Sequence, residues 1–455
     1  MTVREIVESR RLMAATGAEV CCGDAVEVLR TLPENHFDAC LTDPPYGLEF
    51  MGKEWDRLDG AGRDRSVAIA ASAFEPVCGA GLPAPRIVRS RRKKCSNCGL
   101  WSGGTDNMLC RCEHPNWVPN SYGPAMQEWH GAWAREVYRV LKPGAMLMAF
   151  GGTRTHHRLM CAIEGAGFEI RDCLMFFWCY GSGFPKSKNF SLDATLKRER
   201  DKWTGFGSSL KPAYEPIVLA MKPCDGTFAE NALKWGVAGL NVDGGRIECG
   251  SRPVMVRTKT VVSANAMQGA STGATPNGQM TSLGRWPANL LLSCACDGEH
   301  EPGCAVRMLD EQSGVTSTTG KRTNRSKSAV VGGTVWGTDN HESTEYPGDS
   351  GGASRFYYCA KSSRSERGGS THPTMKPLKL CEYLARLLLP PARSTPRRLL
   401  VPFSGSGSEM IGGLRVGWDR VTGIDNNPGY CELAKRRIQT STPSGTPPPA
   451  SPSPA

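Results

Sequence analysis

The run Phe37-Asp38-Ala39-Cys40-Leu41-Thr42 is followed at once by Asp43-Pro44-Pro45-Tyr46, and this junction restricts the fold more than any other stretch. Phe37, Ala39, Cys40 and Leu41 form a short apolar segment of the kind that makes a buried strand. Two consecutive prolines have no N–H to give to a sheet, so the ladder must stop there. The chain then enters a rigid loop, with a carboxylate and an aromatic ring just beyond the strand end. In an open α/β sheet, that end is where ligands bind.

The flanking pattern agrees with such a sheet. Residues 19–43 read strand, turn, short helix, strand. Trp129, Trp133, Val137 and Leu141 recur every fourth position, one apolar stripe on a helix that Lys142-Pro143-Gly144 ends. A buried strand is expected at 145–150, a helix and turn at 158–170, and an aromatic-rich strand at 173–181. Periodicity weakens over 223–367, which is rich in Gly, Ser, Thr and Asn. It returns as a helix at 378–389, a strand at 397–403, a helix at 408–417, a strand at 419–425 and a helix at 429–438. Alternating helices and strands predict an α/β fold with a mostly parallel sheet. Six segments follow from composition. Residues 1–56, 122–222 and 368–439 supply the α/β domain; 57–121 is a Cys-rich insertion, 223–367 an irregular region and 440–455 a Pro/Ser-rich tail expected to be disordered.

The 455 residues carry a net charge of +11, which favours a polyanionic partner. No apolar run approaches the roughly 18 residues of a spanning helix, so no membrane partner is expected. The first residues lack a signal-peptide apolar core. Nineteen cysteines, an odd count in a long chain, read as reduced thiols in a cytoplasm, some of them metal ligands.

Cys95, Cys98, Cys110 and Cys112 pair as C-x-x-C and C-x-C across a short loop, the spacing of a closed structural zinc site. The alternative, four unrelated thiols, fits poorly in a loop with so few core residues. Cys294, Cys296, His300 and Cys304 form a second, less regular candidate, to be weighed against ordinary thiols and a surface His. The basic block 89–94 just before the first cysteines is either a solvated charge run or a phosphate contact.

Near the C-terminal end, Gly405 and Gly407 follow a strand and precede a helix, where the backbone can approach a ligand and helix N–H groups are free. Asp425 ends the next strand about 20 residues on, placed to accept both hydroxyls of a ribose. Its alternative role is to cap the following helix, which Asn426 or Asn427 can do instead. A nucleoside-containing cofactor is expected; the missing third glycine gives no support to NAD.

Together these residues resemble an amino-group DNA methyltransferase that uses S-adenosylmethionine. Asp43-Pro44-Pro45-Tyr46 is similar to the catalytic motif of that family, Pro402-Phe403-Ser404-Gly405-Ser406-Gly407 to its cofactor motif, and residues 371–377 to the segment preceding the latter. The catalytic motif comes first, which is the permuted beta-class order, and residues 43–56 and 178–189 resemble a bacterial and phage subgroup of the family. The resemblance covers roughly half of the chain. It implies a Rossmann-like, circularly permuted methyltransferase fold with helices on both faces.

The resemblance also implies roles. Asp43 and the Pro44 carbonyl would accept hydrogen bonds from the target amine, with Pro45 stiffening the loop. Tyr46 would stack on an extruded base, supported by Phe50 or Trp178; its other reading is a core aromatic. Pro402, Phe403, Gly405, Ser406, Gly407 and Asn426 would line the cofactor, Asp425 would hold its ribose, Asp24 would face its adenine end, and Thr374 and Lys376 would sit near its carboxylate. The family usually begins its glycine motif with Asp where this chain has Val401, a change that would either weaken cofactor binding or be compensated by another acid such as Glu409. The expected function is methylation of adenine N6 in double-stranded DNA. The alternatives are cytosine N4, RNA or protein amines, and a zinc-bearing DNA-binding relic, with 223–367 reading the target sequence through groups such as those of 321–327. A separately encoded restriction endonuclease, and a monomer or homodimer, both stay open.

Overall fold

The computed structural model describes residues 12–46, 94–95, 111, 113, 117–118, 123–178, 201–210, 213–249, 252–257, 274–294, 296, 299–302, 304–317, 349–361 and 375–441. The chain divides into two compact units. Met1–Phe176, Tyr214–Asn241 and Arg367–Ala455 form the first, and Phe177–Ala213 with Val242–Glu366 the second. Residues 177–213 thus group with the second unit and 223–241 with the first, a division that composition does not mark.

Among the described residues, seven strands of the first unit form its main sheet: β1 (Ala18–Cys22), β2 (Phe37–Thr42), β3 (Leu141–Phe150), β4 (Glu169–Trp178), β5 (Tyr214–Met221), β6 (Arg398–Pro402) and β7 (Arg420–Asp425). They stand in the order β1-β7-β6-β2-β3-β5-β4. The first five run parallel, and β5 runs antiparallel to β3. The permutation is visible in this order. β2, from the first part of the chain, pairs with β6, from the last, through Leu399 opposite Ala39 and Leu400 opposite Cys40.

The helices of this unit include α1 (Ala25–Thr31), α2 (Gly123–Val140), α3 (His156–Gly165), α4 (Phe228–Trp235), α5 (Leu378–Leu388), α6 (Ser408–Arg415) and α7 (Pro428–Ser441). β2 is buried along its whole length, as a strand covered on both faces must be. On one face, Leu29 of α1, Trp133 and Val137 of α2 and Ile163 of α3 pack with Cys40, Leu147, Val218, Leu400 and Ile424. On the other lie α5 and α6. A side chain on Gly412 would come within 2.7 Å of the Cys381 backbone, so only glycine lets these two helices approach so closely.

The expected stripe on α2 is present, with one correction. Leu141 belongs to β3, opposite Phe37, and not to the helix. The Val140 carbonyl accepts from His36 N–H at 2.7 Å, which draws the chain out of the helix toward β2. Leu141 is fully buried either way, so apolar spacing could not separate the two cases.

The second unit contains a parallel pair, Leu290–Cys294 with Tyr358–Lys361, a helix at Ala305–Ser313 and an antiparallel hairpin of Arg252–Arg257 with Ala274–Thr281. Among its described residues, Leu292, Cys294, Cys296 and Val306 form a buried cluster, with Leu290, Cys304 and Leu309 packed against it. Among the described residues, no helix is long and apolar enough to cross a membrane.

Candidate active site

The parallel pairing of β2 with β6 brings the two sequence motifs together. The Thr42 hydroxyl donates to the Pro402 carbonyl where the strands end. Asp43–Tyr46 and Phe403–Gly407 therefore leave the same edge of the sheet side by side.

In the first loop, Tyr46 Oη donates to Asp43 Oδ1 at 2.8 Å. Asp43 Oδ2 is 2.9 Å from Lys376 Nζ, which also lies 3.2 Å from Glu215 Oε2 and donates to Tyr46 Oη at 3.1 Å. The Lys376 ammonium stands over the Phe150 ring at 4.7 Å and the Tyr46 ring at 5.4 Å. Burial works against the Lys376 charge, but Asp43 and Glu215 outweigh it and hold the group protonated. Burial also raises the Tyr46 hydroxyl well above its ordinary range, with Asp43 adding to the effect. The Glu215 carboxyl is raised by burial and by Asp43, against the pull of Lys376.

The second loop is tied down from both sides. Asp425 Oδ2 accepts from Gly405 N–H at 2.8 Å, and its Oδ1 from Asn427 N–H at 2.9 Å. Arg437 Nη1 donates to the Ser406 carbonyl at 2.6 Å and Ser406 Oγ at 2.9 Å. Gly407 has φ +79°, and a side chain there would press on Ala434 of α7 at 3.0 Å. Phe403 also has positive φ, +57°, a costly setting for a non-glycine residue. It is held there by Trp129 and Trp133, whose ring centroids lie at 5.5 and 5.7 Å.

This loop fits a cationic, hydroxyl-bearing cofactor. Among the described residues, Ser404 Oγ is buried without a hydrogen-bond partner. Each Asp425 oxygen accepts one backbone N–H and keeps a further lone pair. Glu409, at the start of α6, is buried, and its carboxyl is pushed up to about 7, first by burial and then by the charge of Asp43. A buried acid of this kind regains its charge when a cation arrives.

Several expected residues have other contacts in the structure. Asp24 caps α1, accepting from Val26 N–H at 2.9 Å and Glu27 N–H at 3.1 Å. It follows β1, whose Cys22 stands opposite Asp425. Asn427 accepts from Gly429 and Tyr430 at the start of α7, so the cap is its work and not that of Asp425. Asn426 is exposed, and Val401 is fully buried in β6. Lys376 meets Asp43, the acid of the first loop. Phe50, Thr374, Cys98, Cys110 and Cys112 lie outside the described residues, as does the side chain of Trp178. Cys95 is seen only as backbone, in the two-residue strand Lys94–Cys95 paired with Trp117–Val118.

Sequence reading missed Glu215 and Arg437. Glu215 had a signal: it is the one charged residue of β5, Tyr214–Met221, a strand otherwise buried and mostly apolar. Arg437 had none, because basic residues on a terminal helix usually face solvent.

A permuted α/β sheet with Asp-Pro-Pro-Tyr beside a glycine turn on one edge defines the class of amino DNA methylases. The N6/N4 methyltransferase family model, described as DNA methylase, matches residues 37–436, and the chain belongs to that family. It is 28% identical over 226 residues to the Type II methyltransferase M.HindIII of Haemophilus influenzae, a match covering 48% of this chain and 63% of that protein. The chain thus matches less than two thirds of that relative. Among solved structures, it is similar to the PvuII DNA methyltransferase (cytosine-N4-specific), at 12% identity and TM-score 0.40, covering 94% of this chain and 92% of that one. The M1.HpyAVI–SAM complex gives 12% identity and TM-score 0.33, covering 92% and 98%.

Proposed function

We propose that the chain transfers the methyl group of S-adenosylmethionine to the exocyclic amine of a flipped base in double-stranded DNA, adenine N6 being the favoured target. The observation that carries this reading is the adjacency of the Asp43–Tyr46 and Phe403–Gly407 loops, joined by the Thr42–Pro402 hydrogen bond. It supports one cavity serving both cofactor and target.

An aromatic amine is a poor nucleophile because its lone pair is delocalised into the ring. Asp43 and the Pro44 carbonyl are two acceptors for its hydrogens and favour a localised lone pair. Tyr46 offers a stacking face, and base extrusion costs a few kcal/mol. When bound, the cofactor supplies an electrophilic methyl on a sulfonium. Holding the amine about 3–3.5 Å from that carbon, in line, provides much of the acceleration. Asp43 also stabilises the positive charge that grows on the nitrogen. Lys376 and Glu215 fix the Asp43 carboxylate from behind. Glu409 would take over the role of the acid that Val401 replaces and would balance the charge of the cofactor's ammonium group when it is bound. Cys95, Cys98, Cys110 and Cys112 are read as a structural zinc site on spacing alone, and target reading is assigned to the region 223–367.

The test is to incubate duplex DNA with the protein and labelled S-adenosylmethionine and sequence the product for modified bases. N6-methyladenine is the expected product. N4-methylcytosine alone would move the chain to the cytosine alternative. No transfer, with no cofactor binding by calorimetry even beside a Val401→Asp variant, would leave the relic reading.

A further inference from the structure

We propose that Cys294, Cys296, His300 and Cys304 hold one structural Zn2+ ion in the second unit, independently of the methyl-transfer site. The four ligand atoms lie within 4.8 Å of one another, and Cys304 Sγ is 3.6 Å from His300 Nδ1. Zn–S bonds of about 2.3 Å in a tetrahedron put sulfurs about 3.8 Å apart. The set therefore needs to contract by only about 1 Å to close on a metal.

Their placement argues against accidental packing. Cys294 ends the strand Leu290–Cys294, and Cys304 directly precedes the helix Ala305–Ser313. The ligand atoms of Cys296 and His300 lie at the same point as those of Cys294 and Cys304. Cys294 and Cys296 are buried, and they make up half of a cluster that otherwise holds Leu292 and Val306. A disulfide would use two of the three thiols and leave the third thiol and the imidazole unexplained. Three soft thiolates with one imidazole suit zinc and not magnesium or calcium. Four protein ligands close the coordination sphere, so the ion's work is structural. It would clamp the strand to the helix. Asp310 of that helix in turn holds Ser354, through its N–H at 2.7 Å and its hydroxyl at 2.6 Å.

The full chain, purified without chelator, should be analysed for zinc by mass spectrometry, with Cys95→Ser/Cys98→Ser and Cys294→Ser/Cys304→Ser variants alongside. The first variant is expected to keep about one equivalent of zinc, whose X-ray absorption shows three sulfurs near 2.3 Å and one nitrogen near 2.0 Å. The second is expected to lose about one equivalent relative to the parent chain. Undiminished zinc in the second variant, no zinc in the first, or a disulfide within this set on peptide mapping would each overturn the proposal. Should the second variant fail to fold, the metal shell of the first decides alone.

Discussion

Asp43 uses both carboxylate oxygens, one toward Tyr46 and one toward Lys376, so its orientation is fixed before any substrate arrives. Asp43→Ala should lower methyl transfer by at least about a hundredfold, as loss of one preorganised polar group does elsewhere. Cofactor affinity measured by calorimetry should stay nearly unchanged. A variant with full transfer rates would refute the role. Lys376 is the structural counterpart. Removing one partner of a buried charge cluster costs roughly 3–5 kcal/mol, so Lys376→Met should lower the urea midpoint steeply, and adding Glu215→Gln should restore part of the loss. A change below about 1 kcal/mol would show that the cluster is solvated. Glu409 gives a pH prediction. Its free-state carboxyl is raised to about 7, and a bound cation would pull it down. Binding near neutrality should therefore release a proton, and cofactor affinity should fall as pH drops from 7 toward 5.5. Glu409→Gln should flatten that slope in calorimetry, and an unchanged slope would assign the dependence to another group.

At the level of elements, α6 connects the core to the cofactor loop. Its Gly412 lies against Cys381 of α5, and Gly412→Ala should cost about 1–3 kcal/mol by overpacking, read as a lowered denaturant midpoint. The mostly parallel sheet, the strand end at Asp43 and the glycine turn were legible because each rests on local chemistry: proline without a donor, glycine with free φ, apolar residues at a fixed spacing. The Leu141 boundary was not, because burial serves a helix end and a strand start equally. The Lys376–Glu215–Asp43 cluster was illegible for a different reason. Its members come from three distant segments, and only strand order brings them together. Glu409 could be named from sequence as a candidate acid, but its burial beside Asp43 required the fold.

Across the whole molecule, strand order makes one edge from the two ends of the chain, and the same chain carries 55 Lys and Arg against 44 Asp and Glu. If that excess serves a duplex substrate, DNA affinity must respond to salt in a way that cofactor affinity does not. Each phosphate neutralised by a basic side chain releases condensed counterions and contributes a slope of about −0.9 to log affinity against log salt. Even about three such contacts would weaken binding more than tenfold between about 50 and 200 mM salt. Fluorescence anisotropy with a labelled duplex should give a straight, steep line, while the cofactor isotherm moves little over the same range. Replacing Arg91 and Arg92 with Gln should make the line shallower by about one to two contacts if the basic block 89–94 touches phosphate. An unchanged slope would return that block to solvent. A flat line for the parent chain would count against a duplex and in favour of the protein-amine alternative, since that substrate carries no dense row of phosphates.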